Sequence, residues 1–209
     1  MRRVLVYGVT GSGKSTLARR VAARLGLPYV EVDELTWEPG WAPVPDEIQR
    51  ERITAICAGD AWVLDHAYGK WLDVPLARAD LVVGLDLPRL VSLGRLLRRT
   101  LGRMIRRTPT CNGNVETFRE IFLRRDSILL WHFTSFARKR ARIRRWAADS
   151  SFPVVVLRSS AEVERWVESL ETGRSYEFRG QLPDRVERDR SEFFAPPTDI
   201  DVSHPLSID

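Results

Sequence analysis

Cysteine is scarce in this 209-residue chain and long apolar runs are missing. Only Cys57 and Cys111 occur, and they form neither a metal-ligand nor a redox spacing. They read as a core residue and a free thiol in a reducing cytosol. No apolar stretch approaches about 18 residues, which excludes a transmembrane helix. Arg2-Arg3 before an apolar stretch mimics a secretory leader, but Gly8 and Lys14 interrupt it too early. No internal repeat and no nucleic-acid recognition motif are evident. The expectation is one cytoplasmic globular domain with an appendage, long enough to bury a full core and monomeric.

Acidic side chains are scarce in one region only. The formal net charge is +5, but residues 89–145 hold 16 Lys/Arg against three acids, Glu116, Glu120 and Asp126. Residues 1–88 hold 10 basic and 12 acidic side chains, and residues 146–209 hold seven and 13. The basic character thus belongs to one insertion-like segment. Its candidate partners are a nucleotide's phosphates or a nucleic acid.

The most specific feature present is Gly8-Val9-Thr10-Gly11-Ser12-Gly13-Lys14-Ser15, a complete G-x-x-x-x-G-K-[ST] phosphate-binding loop. The apolar run Val4–Tyr7 precedes it, and a helical stretch from about 14 to 25 follows, with apolar positions 17, 18, 21, 22 and 25 on one face. A strand feeding a glycine loop that opens a helix aims several N–H groups and the positive end of the helix dipole at one point. The loop residues Gly8 to Ser15 with Thr16 are therefore expected to bind ATP or GTP. Lys14 would reach the β- and γ-phosphates, and the Ser15 hydroxyl would bind Mg²⁺.

Five short apolar runs, Val4–Tyr7, Tyr29–Val32, Trp62–Leu64, Leu81–Leu85 and Pro153–Leu157, alternate with helical stretches. This predicts an α/β P-loop NTPase, a parallel sheet with helices on both faces. Ligands in such sheets bind at the carboxyl ends of the strands, where Asp33, Asp65 and Asp86 stand. Asp65 closes an apolar strand in the manner of a Mg²⁺-holding carboxylate. Asp86, before Leu87-Pro88, reads as a helix cap. Trp37 and Trp41, in a Trp/Pro-rich loop over 34–50, either stack a planar base or pack onto the domain.

Residues 86–107 are predicted helical, with apolar positions 90, 93, 97, 101 and 104 and Arg95, Arg98, Arg99, Arg103, Arg106 and Arg107 on the other face. A turn over 108–114 and a second helical stretch over about 115–147 complete an excursion between strands four and five. That is the place of a mobile lid, about 95–145, which closes arginines over a triphosphate and excludes water. Many of these arginines are expected simply to face solvent. Residues 171–209, with nine acids, five arginines and four prolines, read as an irregular acidic tail outside a 1–170 domain.

Several blocks together resemble a known family. They are the phosphate loop, Asp33 followed by Trp37-Glu38-Pro39-Gly40-Trp41, Trp62-Val63-Leu64-Asp65-His66-Ala67-Tyr68, Leu85-Asp86-Leu87-Pro88-Arg89 and the arginine-rich excursion. Over residues 1–170 the chain is similar to the adenylate-kinase-like P-loop proteins called DNA topology modulation (FlaR-like) proteins. The resemblance implies a nucleoside-monophosphate-kinase-like fold with strand order 2-3-1-4-5, ATP as donor and Mg²⁺ as cofactor. It implies Asp33 facing the acceptor hydroxyl as base, and Arg95, Arg99 and Arg103 stabilising the transferring phosphoryl and stacking the donor base. The Asp-Gly-x-Pro-Arg turn of nucleoside monophosphate kinases is absent: Asp65-His66-Ala67-Tyr68 stands instead. His66 is then a local contact or an extra polar group at the site. With one cysteine in the excursion, a zinc-stabilised lid is excluded. The leading expectation is a kinase acting on a small-molecule nucleotide, nucleoside or metabolite. The rivals are an ATP-dependent nucleic-acid-binding regulator and a plain nucleoside triphosphatase.

Overall fold

A computed structural model of the chain describes residues 1–66, 69–106, 113, 128–149 and 153–170, and for residues 66 and 128–130 the backbone alone. In chain order the elements begin with β1 (Arg3–Gly8), α1 (Lys14–Leu25), β2 (Tyr29–Glu31), α2 (Asp33–Thr36), β3 (Trp37–Glu38), β4 (Ala42–Pro43) and α3 (Asp46–Ala58). They continue with β5 (Trp62–His66), α4 (Asp73–Arg78), β6 (Leu81–Leu85), α5 (Arg89–Arg106), α6 (Ile128–Ala148), β7 (Val154–Leu157) and α7 (Ser160–Ser169). The five-stranded sheet runs β2-β5-β1-β6-β7 with every pairing parallel. Counting only its own strands, this is the expected order 2-3-1-4-5.

The central strands are mainly apolar because helices cover both faces. Val4 and Val6 of β1 join Leu17, Ala18 and Val21 of α1 and Trp166 and Val167 of α7 in one core layer. Leu5 and Tyr7 point the other way, into a layer with Ile53 and Cys57 of α3, Leu76 of α4, and Ile143 and Trp146 of α6. Each Leu or Val so buried is worth about 1.5–3 kcal/mol. Helix α1 stops at Gly26, whose φ of +63° suits the left-handed cap and whose N–H donates to the Ala22 carbonyl. Cys57 is the expected core thiol, and burial pushes its pKa up to about 12.

Three expectations are corrected. First, α5 does not bury the apolar stripe read from its sequence. Of that stripe Leu90 and Leu101 are exposed and Leu93, Leu97 and Met104 only half-buried, and the buried line is Ser92, Leu96 and Thr100. The neighbour of this helix is the phosphate loop, which admits only a close, small-residue approach. Second, Asp86 does not serve as a cap. Helix α5 starts three residues later, and the buried Asp86 carboxylate accepts from Arg140 Nε at 2.5 Å and Arg144 Nε at 3.2 Å, both on α6. Third, the 34–50 loop contains structure, since β3 and β4 form a small antiparallel hairpin. Its turn places Gly40 at φ +81° and Trp41 at φ +58°. The Trp37 and Trp41 rings pack edge to face, 5.8 Å apart.

The expected turn over 108–114, apart from Gly113, the start of the second helical stretch, Cys111 and the tail 171–209 lie outside the described residues, as do the side chains of 66–68. Among the described residues no helix is long and apolar enough to cross a membrane.

Helix α6 sits so close to β6 that the sheet must yield a side chain there. A Cβ on Gly84 would lie 2.6 Å from Ile143 Cγ2, and Ile143 is fully buried with no room to turn away. Gly84→Ala is expected to destabilise the fold by about 1–3 kcal/mol. At about 2–4 °C per kcal/mol for a chain of this size, thermal unfolding checks it. Adding Ile143→Val should recover part of the loss.

Candidate active site

The carboxyl ends of β1, β2, β5 and β6 meet at one edge, and the loop Gly8–Ser15 occupies it. Gly8 pairs in register with Leu85, Val6 with Asp65, and Glu31 with Asp65. The loop folds back on itself through Ser12 N–H to Val9 carbonyl, 3.1 Å. Gly11 and Gly13 take φ of +80° and +92°, the left-handed region that glycine enters at no steric cost. Gly13 caps α1 without any side-chain acceptor, so the first-turn N–H groups of α1 remain available to an outside anion. The buried Ser12 hydroxyl has no hydrogen-bond partner among the described residues, and a buried polar group of that kind calls for a ligand or water.

Beneath the loop lie Lys14, itself buried, and Asp65. The Asp65 carboxylate accepts from the Val32 N–H at 3.1 Å and bonds with the Ser15 side chain. Burial raises the Asp65 pKa above the ordinary carboxylate range, against the opposing pull of Lys14, Ser15 and Val32. Among the described residues no three His, Cys, Asp or Glu side chains cluster as a cage. One carboxylate and one hydroxyl at a phosphate site are the donor set with which Mg²⁺ is ordinarily held alongside substrate phosphates. Asp33 is half-buried at the start of α2, and it is close enough to Asp65 to act on it electrostatically.

On the outer side of the loop is a cleft of about 340 Å³, lined by Gly11 to Leu17, Arg95 and Arg99 of α5, and Ser160 and Glu164 of α7 among others. Arg95 donates to the Ser12 carbonyl at 3.1 Å and to Ser160 Oγ at 2.8 Å. Of the three expected lid arginines, Arg95 and Arg99 line this cleft and Arg103, further along α5, does not.

Two side chains at the loop escaped the sequence reading, both on α6. The buried face of this helix carries His132, Ser135, Phe136, Lys139, Ile143 and Trp146. The fully buried His132 places Nδ1 3.0 Å from the Thr10 carbonyl and Nε2 3.4 Å from Ser92 Oγ. A carbonyl can only accept, so Nδ1 carries the proton and Nε2 is bare. Burial pushes the ring pKa down, as do the charges of Arg89 and Lys139, so neutral imidazole is favoured. Helix α5 presses on the same loop: a Cβ on Gly11 would meet the Ser92 carbonyl at 2.4 Å. Lys139 is buried within electrostatic reach of Lys14 and Asp33. The signal that would have found both is the spacing 132, 136, 139, 143, 146, which puts a histidine and a lysine on the apolar stripe of a helix whose other positions are arginine-rich.

Comparison with known proteins agrees with this architecture. The ATPase family associated with various cellular activities (AAA) matches residues 4–56, the span from β1 into α3. A shikimate kinase of Paramagnetospirillum magneticum is 29% identical over 113 residues, covering 49% of this chain and 58% of its own. A shikimate kinase of Bradyrhizobium diazoefficiens is 35% identical over 63 residues, 30% of each chain. The chain thus spans less than two thirds of the length of the curated relatives it matches. The crystal structure of a shikimate kinase from Bacteroides thetaiotaomicron superposes with a TM-score of 0.50 at 18% identity, over 81% of this chain and 96% of that one. At that identity the likeness establishes the fold alone, a five-stranded parallel sheet with helices on both faces.

Proposed function

We propose that the chain is an ATP-dependent kinase that moves a γ-phosphoryl group onto a hydroxyl of a small molecule. The observation that carries this reading is the convergence of Lys14, Ser15 and Asp65 under an uncapped helix start, with Asp33 and Lys139 within electrostatic reach. The loop amides and Lys14 bind the β- and γ-phosphates, while Arg95 and Arg99 border the outer cleft where the nucleoside fits. Ser15 and Asp65 would hold Mg²⁺, which when bound neutralises charge on the phosphate oxygens. Asp33 orients the acceptor hydroxyl and takes its proton. The matches to two shikimate kinases support a small hydroxylated acceptor. The Asp33-to-Trp41 and Trp62-to-Tyr68 blocks support a place beside the adenylate-kinase-like FlaR group.

The nucleic-acid alternative rested on the basic segment. Arg95, Arg140, Arg142 and Arg144 are committed instead to Ser12, Asp86 and Tyr7 within the domain. This favours the kinase reading. It is tested by presenting purified protein with γ-labelled ATP, Mg²⁺ and a panel of nucleosides, nucleotides and hydroxylated metabolites. Label should pass to at least one compound faster than to water, and transfer to water alone would leave a nucleoside triphosphatase.

A further inference from the structure

Lys139 is only 3% exposed, and its Nζ has no hydrogen-bond partner among the described residues. Among the described residues its one direct support is the face of Trp131, 5.6 Å from the ring centroid. A cation–π contact is worth about 0.5–2 kcal/mol, whereas stripping an ammonium of water costs several. The surroundings add to the deficit. Among the described residues, Lys14 from α1 and Arg138 and Arg142 from α6 repel it, His132 lies on the same helix face, and Asp33 from α2 is the one group that attracts it. A buried cation so poorly matched in the free protein is what an anion-binding position looks like before its anion arrives.

We propose that Lys139 is a second phosphate-binding lysine. Its Nζ, within electrostatic reach of both Lys14 and Asp33, contacts the γ-phosphoryl group, and through it the site tells a nucleoside triphosphate from a diphosphate. This rests on the kinase reading above. Lys14 marks the donor side and Asp33 the acceptor side, so a cation that feels both stands near the group in transit. The ammonium supplies charge to the three outer oxygens of that group without contacting the β-phosphate. Burial, and then Lys14, push the Lys139 pKa down to about 7. A bound anion attracts the ammonium and offsets both influences, so near pH 8 triphosphate binding draws a proton onto the amine.

Calorimetric titration in two buffers of different ionisation enthalpy, near pH 8, tests this with MgADP and the β,γ-imido analogue of MgATP. The wild type is expected to prefer the imido analogue by at least about tenfold and to take up close to one proton with it. Lys139→Met should bind MgADP within about threefold of wild type while losing both the preference and the uptake. Lys139→Arg, always charged, should keep the preference and lose the uptake. Folding is checked independently. The unfolded lysine holds its proton up to the ordinary 10.5 while the buried one releases it near 7, so native stability rises with pH across that window. Lys139→Met should therefore unfold at higher temperature than wild type, with the gain largest below pH 7 and smallest near pH 10. An unchanged triphosphate preference in Lys139→Met overturns the inference alone. A wild type that binds neither nucleotide overturns the kinase reading, and the inference with it.

Discussion

Lys14→Ala is expected to lower phosphoryl transfer by about 10²- to 10³-fold, the loss typical of removing one preorganised electrostatic donor from a transition state. The buried position of Lys14 makes the effect large, because attraction between its ammonium and a phosphate is poorly screened there. Both MgADP and MgATP should bind more weakly, since Lys14 reaches phosphates common to the two. This separates it from Lys139, whose loss spares MgADP. The substitution also removes a like charge from beside Lys139, so the Lys139 amine should titrate higher and take up less of a proton on binding. Equilibrium binding and single-turnover transfer measure the first effect, and the two-buffer calorimetry the second. Wild-type affinity for both nucleotides in Lys14→Ala would remove the loop from the donor site.

Asp33→Asn should leave nucleotide affinity within about threefold and cut transfer by about 10²- to 10⁴-fold, the range contributed by a positioned general base. The exchange keeps the shape of the side chain. It also keeps the α2 turn, in which Thr36 Oγ1 donates 3.0 Å to the Asp33 backbone carbonyl rather than to the carboxylate. What it removes is the acceptor for the hydroxyl proton. The split between binding and turnover is the diagnostic measurement. If affinity for the nucleotide fell as far as turnover, Asp33 would belong to the donor half of the site.

The sheet was legible because each of its strands is a compact apolar run closed by a turn signal, and because the phosphate loop fixes where the first strand must end. The positions of Lys14, Ser15, Asp33 and Asp65 were legible because strand ends in a parallel sheet converge: Asp65 lies in the end of β5, and the others open the helices that follow β1 and β2. What stayed hidden depended on partners far along the chain. Asp86 looks like a cap until Arg140 and Arg144, more than fifty residues later, are seen to take its carboxylate. The face of α5 was misjudged because hydrophobicity ordinarily points inward. Here the inward line is set by how near a helix can come to Gly11, and serine, leucine and threonine fit there. Lys139 was submerged in a run of basic residues, and only its phase on α6 distinguishes it from arginines that face solvent.

Helix α6 is one rod of 21 residues, about 30 Å long at 1.5 Å per residue. Along a single edge it touches the phosphate loop through His132, comes within electrostatic reach of Lys14 and Asp33 through Lys139, and meets the sheet through Ile143 and the Tyr7 ring through Trp146. An α-helix of this length bends only gently, so these four contacts share one degree of freedom. Any displacement of the rod at Lys139 would therefore be felt at Thr10 and at Tyr7 together.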